Sequence, residues 1–365
     1  MSGPDGKPPL PWLAAPLAQM LAQQRGHALL VHAAPGIGAL PFVLALAQGW
    51  LCEAEATHTP RPCGQCAGCR LLQSRSHPDL RVLLPEAIAQ TLGWAAAGED
   101  VDGGDGSRSK KKPSRQIRID EVRAAIDWTG RTSSRGGAKV VVIHPAEAMN
   151  TQAASALLKT LEEPPGGARL LLSCAQPEQL LPTVRSRCQR VVLPAPSAAQ
   201  AVQWLLAQGQ PGLPDERSAA VLLAATGGLP LDVLDWLAAG VNADSWAALP
   251  AAVAAGRLQA LAGWPLPRAI DALRKLCHDA MVQAAGGAPR HYPSVPAGAG
   301  LPALAGWSQQ MARAARSQDH PWNEALRIEA LLGQGAACWR GGSNALTEPA
   351  DAMRAAGAAF ATLAR

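Results

Sequence analysis

The amino-acid sequence predicts an α/β domain built on a parallel β-sheet, followed by two all-helical domains. Through the first half of the chain, short apolar segments of strand length alternate with helical patterns. After residues 194–196 the strand patterns stop, and every periodic stretch has helical spacing. The chain has 365 residues, a length sufficient for two or three domains. Hydrophobic residues make up 48% of it, so these domains can have well-buried cores.

Six segments have the length and composition of β-strands. They are residues 28–32, 80–84, 117–119, 139–143, 170–172 and 190–193. Residues 139–143 form a largely apolar run, as expected for a strand that is buried on both faces of a parallel sheet. Because helical patterns separate the strands, we predict a doubly wound parallel sheet.

Three helices of the first half are predicted between these strands. They span about residues 40–51, 120–128 and 151–163. Asp120 and Asn150 are the expected N-caps of the second and third helix, and the two prolines at 164–165 end the third. The apolar face of the third helix has the spacing i, i+3, i+4, i+7 and consists of Ala154, Leu157, Leu158 and Leu161.

The second half divides into two helical domains. Residues 197–239 are helical, with Gly227 and Gly228 between two helices, and the helical pattern resumes at Asn242. A segment rich in glycine and proline interrupts it at 286–302. The predicted domains are 1–195 for the α/β core, 196–241 for a small helical domain and 242–365 for a larger one.

Residues 98–114 break the pattern of the core and are predicted to form a disordered loop. The segment is rich in glycine and aspartate and then contains Lys110, Lys111 and Lys112. Such charge runs usually face solvent, although phosphate binding by the three lysines is left open. The net charge of +5 favours anionic partners only mildly. We expect a cytoplasmic protein without a signal peptide or a membrane span.

A glycine turn at residues 33–40 has the position of a phosphate-binding loop but lacks its chemistry. Gly36 and Gly38 keep the bend between a strand and a helix, whereas Ala39 stands at the lysine position and Leu40 at the hydroxyl position. In a working loop the lysine neutralises phosphate charge and the hydroxyl binds magnesium. The sequence therefore favours a vestigial nucleotide fold, and an unrelated glycine turn is the alternative.

The strand at 139–143 provides a second test of the same interpretation. An active ATPase would carry acidic residues at the end of this strand, to hold magnesium and polarise water. This chain has His144 and Pro145 there. His144 is interpreted as a structural residue, although a role as base or ligand is open. Two separate losses thus point to the same absence of ATP hydrolysis.

Four cysteines predict a structural zinc site. Cys63, Cys66 and Cys69 share a tight turn and Cys52 supplies a fourth thiol, so a closed tetrahedral site is favoured. Free thiols, or His58 or His77 as a ligand, are the alternatives. The remaining four cysteines are scattered and are expected to bind no metal; they are Cys174, Cys188, Cys277 and Cys338.

Two short runs support a family resemblance. Residues 155–165 have the sequence SALLKTLEEPP, and residues 186–188 have the sequence SRC. Together with the cysteine cluster they resemble the AAA+ clamp-loader family of bacterial DNA polymerase III, in particular its delta-prime members. The resemblance is strong over about residues 24–192 and weak over the helical remainder.

The resemblance implies a three-domain architecture: a RecA-like AAA+ core with an inserted zinc module at 52–69, a helical lid and a helical collar. It implies a stator that does not hydrolyse ATP and that joins gamma/tau and delta subunits in a five-membered ring. That ring opens the beta sliding clamp and places it on primed DNA. In the family, the SRC arginine projects into the ATP site of the adjacent gamma/tau subunit, and this role would belong to Arg187. Without the resemblance, an ordinary surface arginine is the alternative for this position.

Some residues depart from the family pattern. Ser155 replaces a more usual asparagine, and residues 229–232 contain no arginine where ATP-binding members carry one. Two other functions remain as alternatives. The first is an active AAA+ ATPase. The second is a zinc-dependent DNA-binding module, in which residues 63–70 and Lys110–Lys112 would contact DNA.

Overall fold

A five-stranded sheet with all strands parallel forms the centre of the first half of the chain. The structure is a computed structural model, and it describes residues 1–23, 26–55, 60–94, 113–316 and 323–340. The strands are β1 (Ala28–His32), β2 (Leu80–Leu83), β3 (Val140–Ile143), β4 (Arg169–Cys174) and β5 (Gln189–Val192). Their order is β2-β3-β4-β1-β5. The predicted parallel sheet is therefore confirmed.

The order of the strands brings three functional segments to one edge of the sheet. His32 at the end of β1 lies opposite Cys174 of β4 and Val192 of β5. His144, which follows β3, donates its backbone N–H to Leu83 O at 3.0 Å. Since the carboxyl ends of parallel strands lie at the same edge, the glycine turn after β1 and the segments after β3 and β4 are neighbours, as in other open α/β sheets.

The helices of the first unit pack around this sheet. They are α1 (Ala14–Gln23), α2 (Ala39–Trp50), α3 (Ala67–Gln73), α4 (Glu86–Thr91), α5 (Ile119–Thr129), α6 (Thr151–Glu162) and α7 (Pro182–Arg185). The N-cap of α6 is confirmed, because Asn150 Oδ1 accepts the N–H of Ala153 at 2.8 Å. Leu157 and Leu161 of its predicted apolar face are at most 2% exposed, whereas Leu158 is only partly buried.

The predicted strand at 117–119 and the predicted cap at Asp120 are wrong. Ile117 forms only an isolated bridge with Met149, and α5 already begins at Ile119 with Arg118 as its N-cap. The carboxylate of Glu121 accepts the backbone N–H of Arg118 at 2.8 Å. This contact satisfies an otherwise free donor at the start of the helix and fixes its beginning before Asp120.

The second half of the chain is helical where it is described, as predicted. Its helices are α8 (Ala198–Ala207), α9 (Glu216–Ala225), α10 (Pro230–Ala238), α11 (Ala243–Ala254), α12 (Leu266–Ala284), α13 (Leu301–Arg316) and α14 (Glu324–Trp339). Gly227 and Gly228 separate α9 from α10 with φ of 76° and 91°, values that favour glycine. Among the described residues, no single helix is long and apolar enough to span a membrane; α9 and α10 reach that length and composition only as a pair bent by 100°.

The chain divides into two compact units, Met1–Gln200 and Ala201–Arg365. A core cluster of the first unit lies between the sheet and α5 and α6. In the second unit one continuous core includes residues from Ala201 to Cys338, and the fully buried Trp246 stacks on Tyr292 with ring centroids 4.3 Å apart. Residues of the predicted lid and of the predicted collar share this core, so the boundary between these two domains stays a prediction.

Candidate functional sites in the first unit

The glycine turn connects β1 to α2 with two residues in left-handed conformations. Gly36 has a φ of 76° and Gly38, the N-cap of α2, has a φ of 104°. Between them Ile37 is 1% exposed, and its carbonyl accepts the indole N–H of Trp12 at 2.9 Å. A buried side chain therefore fixes the middle of the turn, and a bond to the N-terminal segment holds its backbone.

Leu10 covers the turn at Gly38. A Cβ atom added to Gly38 would lie 2.3 Å from Leu10 Cδ1, so the leucine packs directly on the glycine backbone. Leu10 and the following Leu13 are 3% and 0% exposed. The two positions that would carry a lysine and a hydroxyl hold Ala39 and Leu40, which are half-buried and uncharged. An apolar side chain therefore covers this turn, and the turn itself has no positively charged residue that could bind a phosphate.

The histidine after β3 is engaged inside the protein. His144 Nδ1 lies 2.8 Å from the hydroxyl of Ser173, which is fully buried in β4. Burial lowers the pKa of His144 to about 4, so the ring is neutral near pH 7. These contacts agree with the structural interpretation of His144.

A carboxylate that sequence analysis did not single out lies next to this strand end. Glu147 Oε1 accepts the backbone N–H of Ala175 at 2.8 Å and of Gln176 at 3.3 Å, just after β4. Its other oxygen, Oε2, is buried without a hydrogen-bond partner among the described residues. Glu147 thus holds the segment after β4, and no local spacing predicts this contact, because the partners are 28 and 29 residues away.

The four predicted zinc ligands come together in the structure. Cys52 Sγ lies 3.9 Å from Cys66 Sγ, and Cys63 Sγ lies 3.9 Å from Cys69 Sγ. All four sulfurs lie within 4.8 Å of one another. Four thiolates bound to one zinc at about 2.3 Å in tetrahedral geometry are separated by about 3.8 Å. The arrangement therefore fits a tetrahedral metal with no open position.

Backbone amides point at the sulfurs of this thiol cluster. Cys66 is the N-cap of α3, and its Sγ accepts the N–H groups of Cys69 and Glu53, both at 3.4 Å. Burial raises the pKa of Cys52, whereas at Cys63 the N–H groups of Gln65 and Cys66 outweigh burial and lower the pKa to about 6. N–H donors of this kind stabilise the thiolate form, which is the form that binds zinc.

Of the two histidines considered as alternative ligands, only His77 lies among the described residues, and it is not part of the cluster. His58 lies outside the described residues. His77 is buried, and its Nδ1 accepts the backbone N–H of Asp79 at 3.1 Å. Within the described part of the chain, the other four cysteines are buried and belong to no group of metal-ligating side chains; they are Cys174, Cys188, Cys277 and Cys338.

The predicted trans-acting arginine lies at the surface. Arg187 follows α7, and its side chain is 33% exposed. Its Nε and Nη2 contact the carboxylate of Glu162, and its Nη1 donates to Thr183 O at 3.0 Å. Val184 and Cys188 on either side are buried, so they anchor the segment while the guanidinium stays outside. Glu162 as the partner of Arg187 was not anticipated.

The loop predicted at 98–114 cannot be assigned a structure, because residues 95–112, including Lys110–Lys112, lie outside the described residues. The structure does place Ser114, whose N–H donates to Glu86 Oε2 at 2.9 Å.

Of the predicted site residues, the four cysteines come together in one cluster. Arg187 bonds to Glu162 and Thr183, without contact to the thiols or the glycine turn.

Comparison with known proteins finds relatives among the subunits of DNA polymerase III. The family model described as DNA polymerase III, delta subunit, matches residues 13–197. A DNA polymerase III subunit delta' of Pseudomonas aeruginosa is 40% identical over 60% of this chain and 59% of that protein. Proteins of the same name from Yersinia pestis and Escherichia coli are 38% and 36% identical over 53% of this chain and 51% and 52% of their own lengths. The matches thus cover between half and three fifths of each relative.

Proposed function

The chain belongs to the family of DNA polymerase III delta-prime subunits, and from this premise we propose that it is a clamp-loader subunit that does not hydrolyse ATP. In this proposal the first unit is an AAA+ core that acts as a stator beside an ATP-binding gamma/tau subunit. The second unit joins gamma/tau and delta in the ring. The ring then opens the beta sliding clamp and places it on primed DNA.

The packing of Leu10 on Gly38 is the observation that carries the proposal. Phosphate loops bind anions through backbone amides that approach the phosphate closely. In this chain Leu10 Cδ1 occupies the space next to Gly38, and Ala39 supplies no positive charge. With a buried leucine packed on the glycine backbone and no lysine contact, both binding and hydrolysis of a triphosphate are disfavoured at this turn.

Arg187 is the residue proposed to act in trans. A guanidinium has a planar fork of donors that suits phosphate oxygens, and it stays charged at every physiological pH. Its partner Glu162 is itself half-exposed, so the ion pair is accessible and exposed pairs are weak. In the assembled ring, phosphate oxygens of a neighbouring ATP site would replace the Glu162 carboxylate as the partner of the Arg187 guanidinium.

The four cysteines are proposed to hold a structural zinc ion. The sulfur separations and the N–H donors fit that ion, and four protein ligands leave no position for a substrate or water. Zinc would stabilise the turn at 60–69 and would take no part in catalysis. Its role would be to fix the position of α3 relative to the sheet.

The test is the ATPase rate of a ring reconstituted from gamma/tau, delta and this chain, with sliding clamp and primed DNA. Arg187→Ala should leave assembly intact and lower the DNA-stimulated rate by on the order of a hundredfold or more at the neighbouring site. Glu162→Gln should keep most of the rate, since it frees the guanidinium. Arg190→Ala, an exposed arginine on β5, is the matched control and should change little.

Two outcomes would contradict the proposal. An unchanged rate in the Arg187→Ala ring would remove the trans role. Appreciable ATP turnover by the purified chain alone, abolished by Gly36→Ala, would show that the glycine turn is an active site and would favour the ATPase alternative.

A further inference from the structure

Three side chains of the second unit form a second cluster of metal-ligating groups. They are His278 and Asp279, near the end of α12, and His291, in the segment between α12 and α13. One nitrogen of each histidine and one oxygen of the aspartate lie within 4.8 Å of one another. This cluster is separate from the four thiols, which belong to the first unit.

Asp279 is a fully buried carboxylate with fixed partners. Its Oδ2 accepts the backbone N–H groups of His291 at 2.7 Å and of Tyr292 at 2.9 Å. Its Oδ1 lies 3.1 Å from His278 Nδ1. The aspartate thus connects the end of α12 to the segment at 290–292 and cannot rotate away without losing buried hydrogen bonds.

Both histidines are held through the same ring nitrogen. His278 Nδ1 faces the carboxylate of Asp279, and His291 Nδ1 lies 3.1 Å from the carbonyl oxygen of Ala224 at the end of α9. Both partners can only accept a hydrogen bond, so each Nδ1 carries the proton and each Nε2 keeps its lone pair. A carboxylate or carbonyl behind one ring nitrogen is the usual support of a histidine that binds metal through the other.

The two rings are close enough to share an ion. Their centroids are 5.6 Å apart and their planes are inclined by 69°. The side chain of His278 is 51% exposed, so it has room to adjust, while His291 is only partly exposed. Zinc–nitrogen bonds of about 2.0–2.1 Å place the two ligand nitrogens of a tetrahedral site about 3.4 Å apart. One nitrogen of each ring already lies within 4.8 Å of the other.

We propose that His278 and His291 bind a divalent transition-metal ion such as Zn²⁺ through their Nε2 atoms, with Asp279 as the carboxylate that orients His278. Two imidazoles leave open positions for water or for a side chain of another protein, so this site differs in kind from the closed thiol cluster. The ion would link α12 to the segment after it. This inference does not depend on the function proposed above.

The test uses the full chain, labelled with [¹⁵N]histidine and already carrying zinc on its four cysteines. Addition of ZnCl₂ should shift the Nε2 resonances of His278 and His291, and equilibrium dialysis should show a second zinc per chain. His278→Gln removes an exposed ligand and leaves the two backbone N–H bonds to Asp279 Oδ2 in place, and it should weaken this second binding at least tenfold. His32→Gln, a histidine of the first unit, is the matched control and should leave it unchanged.

Either of two results would overturn the inference. The first is a ZnCl₂ titration that shifts neither His278 nor His291 up to millimolar concentration. The second is a second zinc that binds equally well to wild type and to His278→Gln, since the ion would then lie elsewhere.

Discussion

Asp79, the residue before β2, connects several parts of the first unit through one buried carboxylate. Its side chain has no solvent exposure, and it accepts hydrogen bonds from Ser134 N at 2.8 Å, Ser133 Oγ at 3.0 Å and Arg135 N at 3.0 Å. Arg135 in turn forms an ion pair with Glu53 next to the thiol cluster. Burial alone would raise the pKa of Asp79, but these donors outweigh it and hold the pKa below its usual value.

Asp79→Asn should lower the free energy of unfolding by about 2–4 kcal/mol near pH 7, because an amide N–H would face backbone N–H donors in a buried site. A carboxyl group with a depressed folded-state pKa stabilises the protein above its unfolded-state pKa of about 3.9 and loses this effect as the pH falls. Urea unfolding of both proteins from pH 8 to pH 3 measures the difference, which should be constant above about pH 5 and shrink below it.

The matched control for this prediction is Asp127→Asn, which changes an exposed aspartate on α5. It should alter stability by less than about 0.5 kcal/mol at any of these pH values. A difference between wild type and Asp79→Asn that stays the same down to pH 3 would contradict the charge argument and leave only a packing effect.

Single residues also show where sequence reasoning stopped. The cysteine spacing was sufficient to predict which four thiols meet, because Cys63, Cys66 and Cys69 are local in sequence. The partner of Arg187 was not predictable, since Glu162 lies 25 residues earlier and only the packing of α6 beside α7 brings them together. The same holds for Asp79 and the donors 54 to 56 residues after it.

At the scale of elements, α3 depends on the thiol cluster. It has only seven residues, and its N-cap is Cys66 rather than a serine, threonine, asparagine or aspartate. Isolated helices of this length are unstable in water, so contacts outside the helix must support it. Gln73 Nε2 supplies one such contact by donating to Gly64 O at 3.1 Å, and the ion held by the sulfurs would supply another.

Removal of the metal should therefore loosen one element and leave the rest. We expect a strong chelator to release one zinc per chain and to raise amide hydrogen exchange in residues 60–73, while β1 and β4 keep their protection and the ring still assembles. Cys66→Ser should give the same pattern. Cys338→Ser, a buried cysteine of α14, should retain the zinc; freshly purified protein without zinc would end this prediction.

The elements differ in how far their sequence determined them. Strand β1 and the start of α6 have the predicted bounds, because an apolar run and an asparagine cap are local signals. The strand predicted at 117–119 failed for the opposite reason. Its apolar residues suited either structure, and the contact between Glu121 and the Arg118 N–H decided for a helix. Helices α1, α3 and α4 were not predicted, since they are short or lack a clear cap.

At the scale of the whole molecule, the two units have separate hydrophobic cores. The first unit contains Arg187, proposed for trans catalysis, and the four cysteines proposed to hold a structural zinc ion. The second contains the helices proposed for assembly. The sequence placed the change from α/β to all-α near residue 196, and the structure divides within the first turn of α8. Fragments that contain one unit each can therefore test whether trans catalysis and assembly belong to different units.

A fragment of residues 201–365 should enter a ring with gamma/tau and delta, because the described residues of the second unit form a core cluster of their own. The resulting ring should lack the ATPase stimulation that depends on Arg187, as in the Arg187→Ala ring. Size-exclusion chromatography with light scattering measures assembly, and phosphate release measures the rate. Entry of residues 1–200 into the ring, with exclusion of 201–365, would contradict the assignment of assembly to the second unit.

The leucine on the glycine turn has one more consequence. Leu10 belongs to the same chain, twenty-eight residues before Gly38, so its local concentration there is set by the fold and not by the concentration of any dissolved ligand. Neighbouring subunits would change shape as they load, split and release their triphosphates, whereas this subunit would present the same surface in a starved cell and in a growing one. Within the ring it would be the subunit whose conformation does not follow the nucleotide state of its neighbours.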